Sequence, residues 1–462
     1  MHRRRFLKVS ALGALGLASS VFFPGRMSGQ TSGHPNVLLI YSDDQGTLDT
    51  NLYGSKDLST PHLDQLADQG VRFSQFYAAS SVCSPSRAAL LTGRYPQRAG
   101  LPMMAESRPE LFGSGHALPA SEVTIAERLR AAGYRTGHFG KWHLGATPGP
   151  TAQGFDESEG FLGGCIDKYS HFNYGGASWG SPPHRHDWYH NGVETYKSGA
   201  HSGDLITDGA IRFMETTSSR PFFLYLAFGN PHYPLQPYDK YLTYYRDLEE
   251  PRRTYAAMIS TLDEQIGRVL NRLDQLGLRE NTLIIFQSDQ GHSTEARANY
   301  GGGNPGPYRG AKASLFEAGI RIPAMVSFPG RIPAGEVRNQ CCTNCDWLPT
   351  IARICGADLP DRTIDGKDIL PVILSKDAPA PHRVWHWQLG KQWAVRRGDW
   401  KLLMDVRDTS DGHHRDRVIP GPFLANLAED PTEETNFANQ HPDIVQQLTA
   451  LHQEWLKDVQ HE

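Results

Sequence analysis

The stretch "HPNVLLIYSDDQG", from His34 to Gly46, constrains the fold more than any other part of the chain. An apolar run ends abruptly in two carboxylates and a glycine, the pattern of a parallel strand buried on both faces whose carboxyl end delivers Asp43 and Asp44. The scheme recurs. "TPHLDQLADQG" reads as a helix with a glycine stop and "VRFSQFYAAS" as a second strand. In "TIAERLRAAGYRTGHFGKWHLG" Thr124 and Glu127 form a capping box, Gly133 closes the helix, and a short strand leads into a glycine-bounded loop. The helix of "DLITDGAIRFMETT", the strand "PFFLYLAF", an amphipathic helix around Tyr255 to Leu276 and the strand "NTLIIFQSDQG" continue the alternation. This predicts an α/β fold, a large mixed and mostly parallel sheet between helices, with ligands gathering beyond the carboxyl ends of its strands.

At 462 residues the chain exceeds what one hydrophobic core usually serves. After about Asp361 the pattern changes to "VWHWQ", "QWAVRRGDWKLLM" and a final helix near Ile444 to Val459. A smaller C-terminal antiparallel subdomain over residues 361–462 is therefore expected beside a larger domain over 35–360. Residues 1–30 stand apart: "RRRFLK" precedes a short apolar stretch from Val9 to Phe23, as in a twin-arginine-like export signal. The expected location is periplasmic or secreted. No later stretch is long and apolar enough for stable membrane insertion. With 46 basic and 50 acidic residues and a formal net charge of −4, there is no broad basic field for a nucleic acid.

Two strand ends finish in carboxylates, "YSDDQG" at Asp43 and Asp44 and "QSDQGH" at Asp289 and Gln290. Brought to one sheet edge, three carboxylates and an amide oxygen suit a hard divalent cation such as calcium or magnesium. Cys83 lies in "SVCSPSRAALLTGRYP", where Pro85 suits the first turn of a helix and Arg87 follows one turn later. Its thiol could be a buried side chain, a metal ligand, a nucleophile or a precursor of another group. The other cysteines, Cys165, Cys341, Cys342, Cys345 and Cys355, form no pairing framework, and "CCTNC" lacks a second ligand cluster, so they read as packing thiols.

"CSPSRAALLTG" resembles the signature of the formylglycine-dependent type I sulfatases, arylsulfatase-like members of the alkaline phosphatase superfamily, in which the cysteine is oxidised to formylglycine. The likeness runs from about Pro35 to the C-terminal helix. "SDDQG" is similar to the family's first metal loop, so the resemblance implies Asp43 and Asp44 as ligands, with residue 83, Asp289 and Gln290 completing the set around calcium, or magnesium. Many members carry Asn or His where this chain has Gln290. "GKWHLG" implies Lys141 on the sulfate and His143 on the formylglycine hydroxyl. "GNPHYPLQ" implies His232 on the sulfate, "YRGAKASLFEAGIRIP" a second sulfate lysine at Lys312, and Arg87 holds the nucleophile.

What the resemblance implies is an exported hydrolase of sulfate esters whose hydrated formylglycine attacks sulfur, with His232 as acid for the departing alcohol and His143 as base when the covalent sulfate is expelled. Modification by a formylglycine-generating or sulfatase-maturating enzyme would precede export of the folded protein. The segment Cys165 to Gly192 is crowded with aromatic, histidine and arginine side chains, as expected of a loop that stacks sugar rings and pairs with their anions. With Arg185 and His292 as further substrate contacts, a sulfated carbohydrate is the expected substrate. The alternatives are a phosphodiester or phosphonate monoester hydrolase on the same scaffold, or a non-catalytic carbohydrate-binding relative.

Overall fold

The computed structural model describes residues 33–105, 117–174, 185–217, 220–414 and 417–460. The expected export signal, residues 1–30, lies outside them, as does the 175–184 part of the aromatic loop. Among the described residues no helix is long and apolar enough to cross a membrane.

Hydrophobic alternation builds the centre. In β1 (Asn36–Asp43) every residue is buried, yet successive side chains enter different cores, as the pleat requires. Val37, Leu39 and Tyr41 pack on one face with α2 (Cys83–Thr92), α3 (Ile125–Ala131) and α6 (Trp347–Cys355). Leu38 and Ile40 pack on the other with α1 (Pro61–Asp68), α4 (Ser202–Thr216) and α5 (Arg252–Gln275). A strand greasy on both sides needs helices on both faces, and it has them.

The sheet has ten strands. Its central block is parallel: β9 (Thr282–Ser288), β1, β8 (Phe222–Pro231), β4 (Arg135–Lys141) and β5 (Glu157–Phe161), in that spatial order. Antiparallel partners flank it, β10 (Ala324–Ser327) against β9 on one side and the ribbon β6 (Tyr189–His190) and β7 (Val193–Glu194) on the other. The mixed, mostly parallel sheet expected from the alternation is therefore present. One element differs. "VRFSQFYAAS" is not a single strand: β2 (Val71–Phe73) joins the main sheet between β10 and β11 (Glu336–Arg338), while β3 (Phe76–Tyr77) pairs with β12 (Cys342–Thr343) in a separate ladder. At the break the Ser74 N–H donates to Arg338 O, and the chain leaves one sheet for the other.

Near the C-terminus, β13 (Trp385–Leu389), β14 (Gln392–Arg397), β15 (Trp400–Met404) and β18 (Phe423–Asn426) form an antiparallel sheet. Alternation again assigns its faces. Ala394, Leu403 and Phe423 pack with Leu315, Phe316 and Ile320, while Val395, Leu402 and Leu424 pack under α7 (Pro442–Gln460). Between β15 and β18 a ribbon of β16 (Val406–Asp408) and β17 (Arg417–Ile419) projects.

Candidate active site

Four strand ends and one helix start meet here. β1 ends at Asp43, and Asp44 follows with a φ of 64° that turns the chain sharply. β9 is the parallel neighbour of β1, with Ser42 opposite Ser288, so Asp289 and Gln290 emerge beside the β1 carboxylates. The Asp44 N–H donates to Asp289 Oδ1 at 3.1 Å. β4 ends at Lys141, and β8 runs to Pro231, immediately before His232. Cys83 is the first residue of α2, whose ten residues are all buried and whose left-handed stop is Gly93 at φ 68°. Proline in that first turn removes only an N–H that has no helical partner.

The side chains interlock. Lys141 Nζ donates to Asp43 Oδ2 at 2.6 Å, and Lys312 Nζ donates to Asp44 Oδ2 at 2.9 Å. Arg87 is wholly buried, pairs with Asp289 Oδ2 at 2.9 Å, donates to Lys141 O at 3.2 Å and lies 5.1 Å over the Tyr41 ring. The Cys83 thiol sits 3.6 Å from Asp43 Oδ1 and 3.4 Å from Gln290 Nε2. His232 Nδ1 donates to Tyr233 O at 2.7 Å, since a carbonyl can only accept, which turns Nε2 toward Asp44 at 3.5 Å. His143 adopts φ 52° and is packed against Gly164, where a Cβ would approach its ring to 3.1 Å.

Burial raises the pKa of Asp43, but Lys141, His232, Arg87 and Lys312 hold it well below the usual carboxylate range. For Asp44 burial wins over Lys312 and lifts it to about 6; Asp289 is lifted by burial and by Asp43 to about 7. Burial and then the neighbouring lysines push His143 and His232 well below the ordinary histidine value, so both rings are neutral. Burial also pushes the Cys83 thiol up to about 12, which keeps it protonated.

When all three are ionised, three carboxylates confined with three cationic side chains leave no net charge to hold an anionic substrate. A divalent cation changes that balance, and the donor set fits one. One potential ligand atom each from Asp43, Asp44, Cys83 and His232 lies within 4.8 Å of the others, which adds His232 to the donors expected from the strand ends. Gln290 Oε1 is buried without a partner, while Nε2 faces Asp44 and Cys83. A half-turn of that amide aims the oxygen at the cluster.

The family model described as Sulfatase matches residues 35–357. The chain belongs to the sulfatase family. It is a hydrolase of sulfuric esters of the arylsulfatase-like kind. A second model, described as N-sulphoglucosamine sulphohydrolase, C-terminal, matches residues 311–461 of this sulfatase. An N-acetylgalactosamine-6-O-sulfatase of Bacteroides thetaiotaomicron is 30% identical over 92% of this chain and 93% of the relative. Human arylsulfatase A is 33% identical over 90% of this chain and 87% of the relative. The crystal structure of Ps i-CgsB in complex with k-i-k-neocarrahexaose superposes with a TM-score of 0.79 at 30% identity, covering 91% of this chain and 92% of that one.

The sulfatase brings Asp43, Asp44, Cys83, Arg87, Lys141, His232, Asp289, Gln290 and Lys312 into one cluster, with His143 on the loop after β4. His292 touches it through the backbone, its carbonyl accepting from Lys312 N–H at 2.9 Å. The Arg185 carbonyl accepts from Asn173 N–H, and among the described residues no side-chain hydrogen bond or ion pair ties Arg185 to the cluster. Sequence reasoning missed Ser86, whose Oγ donates to Asp289 O at 2.5 Å, and Lys168, a buried lysine whose ammonium donates to Gly229 O three residues before His232. A serine inside a signature and a lysine in a loop carry no local mark of these roles.

Proposed function

We propose that this sulfatase acts on sulfated carbohydrates after export, using a formylglycine made from Cys83 and a divalent cation, calcium or magnesium, held by Asp43, Asp44, Asp289 and Gln290. The observation that carries the reading is the position of Cys83, the buried first residue of a helix between a metal-type carboxylate and an amide, with Lys141 and Lys312 on the adjacent carboxylates. A thiol kept protonated by burial is a poor nucleophile, which favours the precursor role.

When bound, the cation and the formylglycine hydrate would supply Lewis acidity and an attacking oxygen. The chain's own residues do the rest. Lys141 and Lys312 bind the sulfate oxygens on which charge grows in the transition state. Arg87, fixed by Asp289 and Lys141 O, holds residue 83 in line. His232, its Nδ1–H locked on Tyr233 O, presents a bare Nε2 toward the leaving alcohol, and in this reading that nitrogen first takes up a proton, giving the cationic ring, and then donates it to the departing oxygen. His143 accepts the proton when the sulfate is released. Arg185 and His292 belong to the substrate rim in this reading.

Two relatives support a sugar substrate: one is named for N-acetylgalactosamine 6-sulfate chemistry, and one structure holds a neocarrahexaose. The aromatic segment after Cys165 is suited to the same class. The arginines at residues 3–5 support export, and a formylglycine-generating or maturating enzyme is the partner this requires. The deciding experiment is a desulfation screen of the converted enzyme on N-acetylgalactosamine 6-sulfate, carrageenan oligosaccharides and matched phosphate esters. Faster turnover of a phosphate ester than of every sulfated sugar would sink the proposal.

A further inference from the structure

Lys312 sits on a loop pinned at its backbone by the site, its N–H donating to His292 O at 2.9 Å and the Ala313 N–H to Ser81 O at 2.8 Å. Further support comes from the C-terminal region. On its N-terminal side, the Ala311 N–H donates to Thr409 Oγ1 at 3.0 Å, and the same hydroxyl donates to Ala311 O at 3.0 Å. On its C-terminal side, Ala313 O accepts from Gln392 Nε2 at 2.8 Å, while Gln392 Oε1 accepts from Arg407 N–H at 3.1 Å. Gly310 N–H donates to Ser410 Oγ at 2.8 Å, and Ser314 Oγ donates to Arg407 O at 2.6 Å. Arg309, at the loop's start, places Nε and Nη2 at 2.9 and 2.7 Å from Asp408 Oδ2. Thr409 O also accepts from Thr294 Oγ1 at 2.7 Å, tying in the loop that follows Gln290.

We infer that Thr409 and Gln392 are positioning residues for Lys312, so that the end of β16 and the start of β14 set where this ammonium stands over Asp44. The inference rests on the reading of Lys312 as a sulfate-binding group. Both backbone groups of Ala311 lean on one buried hydroxyl. Valine has the shape of threonine without that hydroxyl, so Thr409→Val leaves the buried Ala311 N–H without a partner and its carbonyl with only the Ser314 N–H, one residue from Lys312. The loop then relaxes and the ammonium moves. A displacement of this size far from the chemistry is enough to cost rate, because transition-state contacts are short and directional.

The test uses the full-length, formylglycine-converted enzyme and two readouts: turnover of a sulfate ester that the wild type hydrolyses, and inhibition by inorganic sulfate. Thr409→Val is expected to weaken sulfate inhibition and kcat/KM by about tenfold, and Thr409→Ser, which restores the hydroxyl, to recover both to within about twofold. In a double-mutant cycle, Thr409→Val should add nothing once Lys312→Ala is present, since the threonine acts through the lysine. Gln392→Leu carries the same cycle if Thr409→Val does not fold. A lower melting temperature with unchanged sulfate inhibition, or fully additive effects in the cycle, overturns the inference. Sulfate inhibition and turnover untouched by Lys312→Ala would bring down the assignment of Lys312 itself, and this inference with it.

Discussion

Arg87 Nη2 lies 2.9 Å from Asp289 Oδ2, and neither side chain is exposed to solvent. A buried pair of this kind is weak evidence of net stabilisation, but removing one partner strands the other charge. Arg87→Met is therefore expected to cost about 3–5 kcal/mol in cation-free buffer, measured by urea denaturation. Arg87→Lys keeps the charge but cannot also reach Lys141 O from a planar fork, and at least about a tenfold loss of turnover should remain. Wild-type stability in Arg87→Met would show that the pair carries no structural load.

The clustered carboxylates predict a response to chelation. A cation that binds only the folded chain stabilises it by about 2.7 kcal/mol at a hundred times its dissociation constant. EDTA should abolish turnover and lower the melting temperature of the wild type. Asp44→Asn and Asp289→Asn should be inactive and should show a smaller chelation shift. An identical melting shift in all three proteins would place the cation elsewhere.

Residue 83 separates a precursor from a working thiol. Converted protein should carry an aldehyde at position 83 by mass spectrometry, react with carbonyl reagents and resist alkylation there. Cys83→Ala should lose essentially all turnover with its fold intact. In the converted enzyme, His143→Ala should allow sulfur attack but slow release, leaving a sulfated residue 83. Full activity in protein whose Cys83 is still a free thiol would refute the mechanism.

Part of the acid sensitivity should arise far from the site. From the C-terminal helix, His452 stacks on Trp393 at 4.1 Å and Trp455 on His386 at 5.0 Å, and among the described residues neither ring nitrogen of His452 has a hydrogen-bond partner. Burial pushes His452 from 6.5 down to about 4, and burial with the His452 ring beside it pushes His386 to about 3. Between about pH 6.5 and these lower values the unfolded chain binds protons that the fold refuses. Their contribution is thus complete above pH 6.5 and declines as the pH falls, on the order of 1.4 kcal/mol per pH unit per histidine. His452→Phe keeps the stack and should flatten the slope of urea midpoints between pH 6.5 and 4.5. An unchanged slope would exclude His452 as its source.

Much of the scaffold was legible because its signals are local. Thr124 and Glu127 form the capping box read from their spacing, and the β1 and β9 runs end in the carboxylates that line the site. The division of "VRFSQFYAAS" into β2 and β3 was not legible. Its residues suit a strand throughout, and the break depends on partners some 250 residues away: β10 and β11 for one half, β12 for the other. Gln290 shows the same limit at the site. Its side chain was expected among the oxygen donors, but which end of the amide faces the cluster is set by Asp44 and Cys83.

By itself the sequence determined the periodicities, the caps and the residue types at each strand end, because these follow from hydrogen bonds and side-chain directions within a few positions. Tertiary structure alone decided that Asp289 stands against Asp44, 245 positions away, and that Lys312 hangs from a threonine 98 positions downstream of Ala311. Such neighbours are selected by which faces bury together and in what register. That choice minimises exposed apolar surface and unpaired polar groups over the whole chain, and no short window of residues contains it.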